Sequence, residues 1–268
     1  MSEKRRSVRT YDGRLISDED RAGIEAFCAG LSNPFGIPVE FMFLDPAEHG
    51  LKSPVLAGET LYLAGKIRRE EHFEEAFGYS FEAVLMYAWS IGVGSVWIGG
   101  TFNREAFEKA VMLGDGELMP CASPLGYAAE SMSLREKMMR KGIKADTRYE
   151  PGRLFFDGEY GRAFDLGDGA ADALTARALE SVRWAPSAVN KQPWRIVLTE
   201  GRAHFYEKPD KGYCSEAHGD LQRIDIGIAL YHFMHEYEAA GRTVRLVCED
   251  PHRHVPDGVQ YAATVIMD

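Results

Sequence analysis

Three short stretches of this chain gather residue types suited to holding a flat, anionic small molecule. The first is Lys4-Arg5-Arg6-Ser7-Val8-Arg9, four cations and a hydroxyl within six residues. Arginine forks and a serine hydroxyl hold phosphate through charge-assisted hydrogen bonds. On spacing alone the stretch reads first as a solvated basic terminus. The second is Ala185-Pro186-Ser187-Ala188-Val189-Asn190-Lys191-Gln192-Pro193-Trp194. Its prolines fix the backbone, while Ser187, Asn190 and Gln192 offer the donors and acceptors that a heteroaromatic ring with alternating N–H and C=O groups requires. An ordinary turn with capping polar groups has the same composition. The third, Gly92-Val93-Gly94-Ser95-Val96-Trp97-Ile98-Gly99-Gly100-Thr101-Phe102, begins like a dinucleotide fingerprint. Trp97 stands where the third glycine belongs, and the stretch follows a helical pattern where a strand is needed, so a Rossmann site is rejected. Gly99 and Gly100 instead close a strand, where missing side chains let backbone amides approach a flat ligand.

Other residues are set aside. His232 and His235 have a metal-compatible i, i+3 spacing on a predicted helix but no evident acidic or thiol partner, so no metal is assigned. His252 and His254 read as loop residues. Asp225 reads as a cap or an ion-pair member and receives no chemistry. The chain has 268 residues and a net charge of −10, which makes nucleic acid and anionic membrane poor partners. Its four cysteines are dispersed with no C-x-x-C pair, as in reduced thiols. No apolar run reaches membrane-spanning length and the N-terminus lacks a secretory pattern, so the expected location is cytoplasmic.

The elements that must position these stretches follow from periodicity. Ser17 with Asp20 marks a helix start, and Ile24, Phe27, Cys28 and Leu31 share one face. Residues 39–44 read as a strand, 81–91 as a buried helix stopped by Gly92, and 95–98 as another strand. The second part repeats the order: a helix over 171–184, a Pro-rich turn, a strand over 195–198, a buried helix over 224–240, then strands over 243–247 and 261–266. Each half reads as helix, Pro-containing turn, strand, buried helix, Gly stop and strand. A charge- and Gly-rich segment joins them.

Together, Arg-Arg-Ser-x-Arg, Gly-x-Gly-x-x-Trp-x-Gly-Gly and Ala-Pro-Ser-x-x-Asn-x-Gln-Pro-Trp resemble the motifs of the FMN-dependent nitroreductase superfamily. The order is unusual, because relatives carry the Pro-Ser-Asn motif soon after the arginines. Here Leu31-Ser32-Asn33-Pro34-Phe35-Gly36 fills that place. The chain thus resembles the single-chain tandem branch, the TM-type nitroreductases. The resemblance implies an α+β fold, a mixed or antiparallel sheet with surrounding helices, in two pseudo-symmetric halves. The expected divisions are residues 1–130, a crossover over 131–169, and 170–268, together one compact pseudo-dimeric unit.

The resemblance also implies one FMN, shared between the halves. Arg5, Ser7 and the adjacent Arg6 would meet its phosphate, Arg9 its pyrimidine edge, and Ile98, Gly99 and Gly100 would lie by N5. Arg148, favoured over Lys144, would return to the phosphate. Pro186, Ser187, Ala188 and Asn190 would pack on the ring from the other half. NAD(P)H would reduce the flavin, which would then reduce a small electron-poor acceptor such as a nitro compound or quinone. No catalytic side chain is assigned. A flavin-binding module without turnover, or a flavin-modifying or dehalogenating relative, stays open. Internal pairing favours a monomer without forbidding a homodimer.

Overall fold

The structure is a computed structural model and describes residues 5–166 and 172–267. Lys4, Ala171 and the expected boundary at 169–170 lie outside the described residues. Helix α1 (Asp18–Gly30) begins where Ser17 Oγ accepts the Asp20 N–H at 3.1 Å. Acidic residues at 18, 19 and 20 complement the positive end of the helix. Strands β1 (Glu40–Leu44) and β2 (Leu61–Arg68) follow, separated by the short α2 (Pro46–His49). Next come α3 (Phe73–Ser90), β3 (Gly94–Ser95), α4 (Arg104–Ala110), β4 (Glu117–Leu118) and β5 (Ala122–Gly126). The crossover carries α5 (Leu134–Gly142), α6 (Pro151–Leu154) and β6 (Phe155–Asp157). The remainder is α7 (Ala173–Trp184), β7 (Trp194–Thr199), β8 (Arg202–Glu207), β9 (Cys214–Ser215), β10 (Gly219–Asp220), α8 (Leu221–Ala239), β11 (Val244–Val247) and β12 (Gln260–Met267).

The two large sheets share one strand order. The first runs β1-β2-β5-β3 and the second β7-β8-β12-β11, with antiparallel pairing along both paths. Each has an addition: β4 pairs with β2, and β6 lies parallel to β7. Two pseudo-symmetric α+β halves are therefore present, as the sequence pattern indicates. That pattern is incomplete, because each half holds a strand, β2 or β8, between its first strand and its buried helix. β7 and β8 join through the two-residue turn Glu200-Gly201, whose glycine has φ +64°, as a tight hairpin requires.

Helix α3 also begins eight residues earlier than residue 81. Its first turns bury Glu75, Gly78 and Ser80, which do not read as a core stripe. Both central helices bury residues around most of their circumference and lie against each other. At the crossing a Cβ on Gly78 would sit 2.1 Å from the Ile224 carbonyl oxygen, and one on Gly227 would sit 2.1 Å from that of Glu75. Only glycine permits this approach. The contacts are reciprocal, so Gly78 and Gly227 mark the pseudo-twofold relation between helices. One apolar core runs through both halves, including Phe77 and Phe81 from α3, Phe233 from α8 and Phe205 from β8. Among the described residues no helix is long and apolar enough to cross a membrane.

Candidate functional site

A cavity of about 640 Å³ opens where the halves meet. Arg5, Arg6, Ser7 and Arg9 line it from the N-terminal segment, and Ile98, Gly99 and Gly100 from the turn after β3. Arg148 enters from the crossover, while Pro186, Ser187, Ala188 and Asn190 enter from the loop after α7. The three motifs, 190 residues apart at their extremes, thus share one wall-to-wall space. Lys144 contributes no lining; its carbonyl instead accepts from Asn190 Nδ2 at 2.8 Å.

The N-terminal segment is fixed by Val8. Its side chain is buried against Gly94, its N–H donates to the Ser95 carbonyl at 2.9 Å, and its own carbonyl accepts from Tyr11 Oη at 2.7 Å. Anchoring Val8 holds the flanking cations at the cavity. Arg9 is buried, and among the described residues its Nη1 has no partner. Arg5 Nε and Arg148 Nε are likewise buried without partners among the described residues. Burial lowers the pKa of Arg5 and Arg9, opposed by Glu82 and Glu136 respectively, with Arg140 adding like-charge repulsion to both. Burial brings Arg148 to about 10, reinforced by Arg5 and Arg183. Several guanidiniums desolvated together, with donors unspent, are costly until an anion joins them.

Arg148 is held from the opposite side of the cavity. Its Nη1 donates to the carbonyls of Ala145 and Thr147 at 2.9 and 2.8 Å, its Nη2 to that of Trp184 at 3.1 Å, and its guanidinium lies over the Trp184 ring. Asn190 Nδ2 also binds the Thr147 carbonyl at 3.0 Å. The Asn190 amide therefore ties the loop to the crossover, and this ring-facing candidate acts through the Arg148 segment. Gln192 does the same, accepting the Tyr149 N–H at 3.0 Å.

The glycine turn is packed on one side only. A Cβ at Gly99 would meet Cys121 Sγ at 3.3 Å and Leu221 at 3.4 Å, whereas one at Gly100 would meet nothing within 4 Å. Arg104 Nη2 fixes the Gly99 carbonyl at 2.8 Å. Among the described residues the N–H groups of Gly99 and Gly100 have no acceptor.

Sequence reasoning missed several cavity residues. Trp97 borders the cavity, and its Nε1 donates to Glu82 Oε2 at 2.7 Å. Glu82 Oε1 lies 3.0 Å from His232 Nε2, so the histidine set aside for want of an acidic partner has one on the other half. Asp225, expected as a cap or an ion-pair member, instead accepts the Ala188 N–H, with both carboxyl oxygens at 3.0 Å. Its only sequence signal is an acid within a largely apolar helix. Arg140 lines the cavity too, from α5, a helix the sequence pattern did not reveal.

Comparison with known proteins supplies the family. The model of the family described as "Putative TM nitroreductase" matches residues 1–154 and 164–236, most of the chain. The chain belongs to this nitroreductase family. It is thereby assigned to an oxidoreductase family. A solved structure of a "putative nitroreductase" from Thermotoga maritima shares the fold at 17% identity, with a TM-score of 0.63 and coverage of 99% of this chain and 91% of that one. An FMN-dependent nitroreductase from Clostridium difficile R20291 aligns with 49% of this chain and 87% of its own, at 17% identity and a TM-score of 0.42. A "putative NADH dehydrogenase/NAD(P)H nitroreductase" from Bacteroides thetaiotaomicron aligns with 48% of this chain and 84% of its own, at 22% identity and a TM-score of 0.41. No curated protein matches the chain.

Proposed function

We propose that this nitroreductase-family chain binds one FMN in the cavity and passes electrons from NAD(P)H to an electron-poor acceptor, a nitro compound or a quinone. One observation carries the reading: Arg5 and Arg9 from the N-terminal segment converge with Arg148 of the crossover, each with a buried nitrogen lacking a partner among the described residues. A phosphate dianion supplies the acceptors and the counter-charge that Arg5 and Arg148 lack, and the pyrimidine edge of a reduced flavin those that Arg9 lacks. The rest of the cavity fits a planar ring. Gly99 and Gly100 withhold side chains, their N–H groups are unspent, and Trp97, Ile98, Pro186 and Ile228 offer apolar surface. When bound, the flavin supplies the hydride-accepting centre, and the protein supplies position and electrostatics.

In this reading Arg5, Ser7 and Arg148 hold the phosphate, with Arg6 alongside, and Arg9 stabilises negative charge on the reduced ring. Pro186 to Ala188 press on the ring from the half that lacks the arginine segment. The divisions 1–130, 131–169 and 170–268 then act as two halves of a pseudo-dimer and the segment that crosses between them. A monomer is sufficient for function on this view.

The test is the visible spectrum of the purified protein and a count of flavin released by denaturation. About one FMN per chain is expected; failure to take up added FMN overturns the reading, and about two per chain overturns the single site. Steady-state NAD(P)H oxidation with menadione then separates an enzyme from a flavin-binding module without turnover.

A further inference from the structure

We propose that Asp225 is the proton donor to the electron acceptor reduced in this cavity, an inference that rests on the flavin reading above. Asp225 projects from the first turns of α8, is 3% exposed and borders the cavity. Its partner is the Ala188 N–H, received by both carboxyl oxygens. Among the described residues no cation forms an ion pair with it. The titratable groups around it are acids: Asp220 at the start of α8, Glu207 on β8, Glu82 on α3, and the Cys121 thiol before β5. Burial first, and repulsion from the three carboxylates after it, hold the carboxyl well above the usual carboxylate range, against the Ala188 bond that favours ionisation.

A neutral carboxyl has one O–H to donate. Ala188 engages only its acceptor capacity, so that O–H is left for a molecule in the cavity. The other polar groups nearby serve this role poorly. Guanidiniums do not release protons in proteins, and burial pushes the Cys121 thiol up to about 12. The acceptor chemistry that matches is an oxygen gaining a proton as it is reduced. For a quinone, a hydride from the reduced cofactor forms one O–H bond. The Asp225 O–H bond breaks as the second quinone O–H bond forms. The product is the hydroquinone, and the carboxylate left behind regains its proton from water.

Two measurements test this. Infrared difference spectra of the flavin-free protein at pH 7 should show a carboxylic C=O band that shifts with ¹³C-aspartate labelling and disappears in Asp225→Asn. Asparagine keeps an acceptor for the Ala188 N–H, so the loop stays in place. FMN-loaded protein, reduced by dithionite and mixed anaerobically with menadione, should re-oxidise about 100-fold more slowly in Asp225→Asn. The wild-type rate should fall at alkaline pH, while that of the variant stays flat. Absence of the labelled band in wild-type protein overturns the proposal without recourse to any variant. Wild-type re-oxidation by a flavin-loaded Asp225→Asn overturns it while leaving the flavin reading intact. Wild-type protein that takes up no FMN overturns both.

Discussion

Counted from Gly78 and Gly227, the helix positions beside the cavity have counterparts across the pseudo-twofold relation. Leu221, Ile224, Asp225 and Ile228 of α8 correspond to His72, Glu75, Ala76 and Tyr79 of α3. On the α8 side these residues line a cavity whose far segments bring in arginines with unspent donors. On the α3 side Glu75 is paired at 2.9 Å with Arg223, whose Nε also lies 2.9 Å from Glu207. Glu74, Glu75, Glu207 and Asp220 thus share the neighbourhood of one arginine. The loops differ in the same sense. Asn33 spends its amide within its own half, on the Ile37 carbonyl of its loop at 2.6 Å and on Ser80 Oγ of α3 at 3.0 Å. Asn190 reaches out to the crossover, from a loop in which Val189, Asn190 and Gln192 all have positive φ. Such backbone costs roughly 1–3 kcal/mol per residue and persists only where surrounding bonds hold it. One strand order thus supports two regions of opposite electrostatic character, a cavity of arginines with unspent donors and a cluster of carboxylates about Arg223.

The sharpest way to break this comparison is to discharge the cation-rich cleft. Arg5→Ala combined with Arg9→Ala removes two charge-assisted contacts, together about 3–6 kcal/mol and hence on the order of 10²–10⁴-fold in flavin affinity. Circular dichroism melts should stay near wild type, since among the described residues each guanidinium keeps a buried nitrogen without a partner. Unchanged flavin content would remove the phosphate assignment. A paired substitution sharpens the contrast between loops. Asn190→Ala should weaken FMN binding about tenfold, in proportion to one or two lost hydrogen bonds that seat the Arg148 segment. Asn33→Ala should leave flavin affinity untouched and show only in stability. Equal effects on flavin titration would mean that the loops do not differ in function.

The smallest effect concerns the carboxylate-rich side. Burial and the nearby Asp220 raise Glu207 to about 7, opposed by Arg223. The folded protein keeps that proton up to about pH 7, whereas the unfolded chain gives it up in the ordinary carboxylate range. Stability contributed by Glu207 is therefore present at low pH, lost as pH rises across this window, and level above it. Melting temperatures between pH 4.5 and 8 should show this slope, and Glu207→Gln should flatten it.

Much of the site was legible because its chemistry is carried by contiguous motifs. Arg5 to Arg9, Gly99-Gly100 and Pro186 to Asn190 each declare themselves by composition, and their convergence follows from the resemblance that joins them. The pairings made between separate elements were hidden. Glu82 with His232, and Asp225 with Ala188, join residues 150 and 37 positions apart that no periodicity relates. The fold was read where apolar periodicity is clean, as in α1, α7 and β7. It was misread at the start of α3, where buried Glu75 and Gly78 answer to α8 and not to a hydrophobic stripe. β2 and β8 escaped notice despite their apolar residues, since strands buried on both faces lack the alternation that marks a surface strand.

β6 fixes the direction in which such a molecule can change. In chain order, the stretch before α7 stands where residues 5–16 stand before α1. The first half leaves its stretch beside β3, with Val8 bonded to Ser95 and the arginines alongside. The second half commits its stretch to a ladder with β7, Phe155 opposite Ile196 and Asp157 opposite Leu198. Point substitutions can exchange carboxylates for arginines around Glu75 and Glu207, but they cannot return that backbone without unzipping a sheet edge. The asymmetry therefore acts as a ratchet: side chains can drift in either direction, while the path back to two equivalent halves requires the loss of a strand.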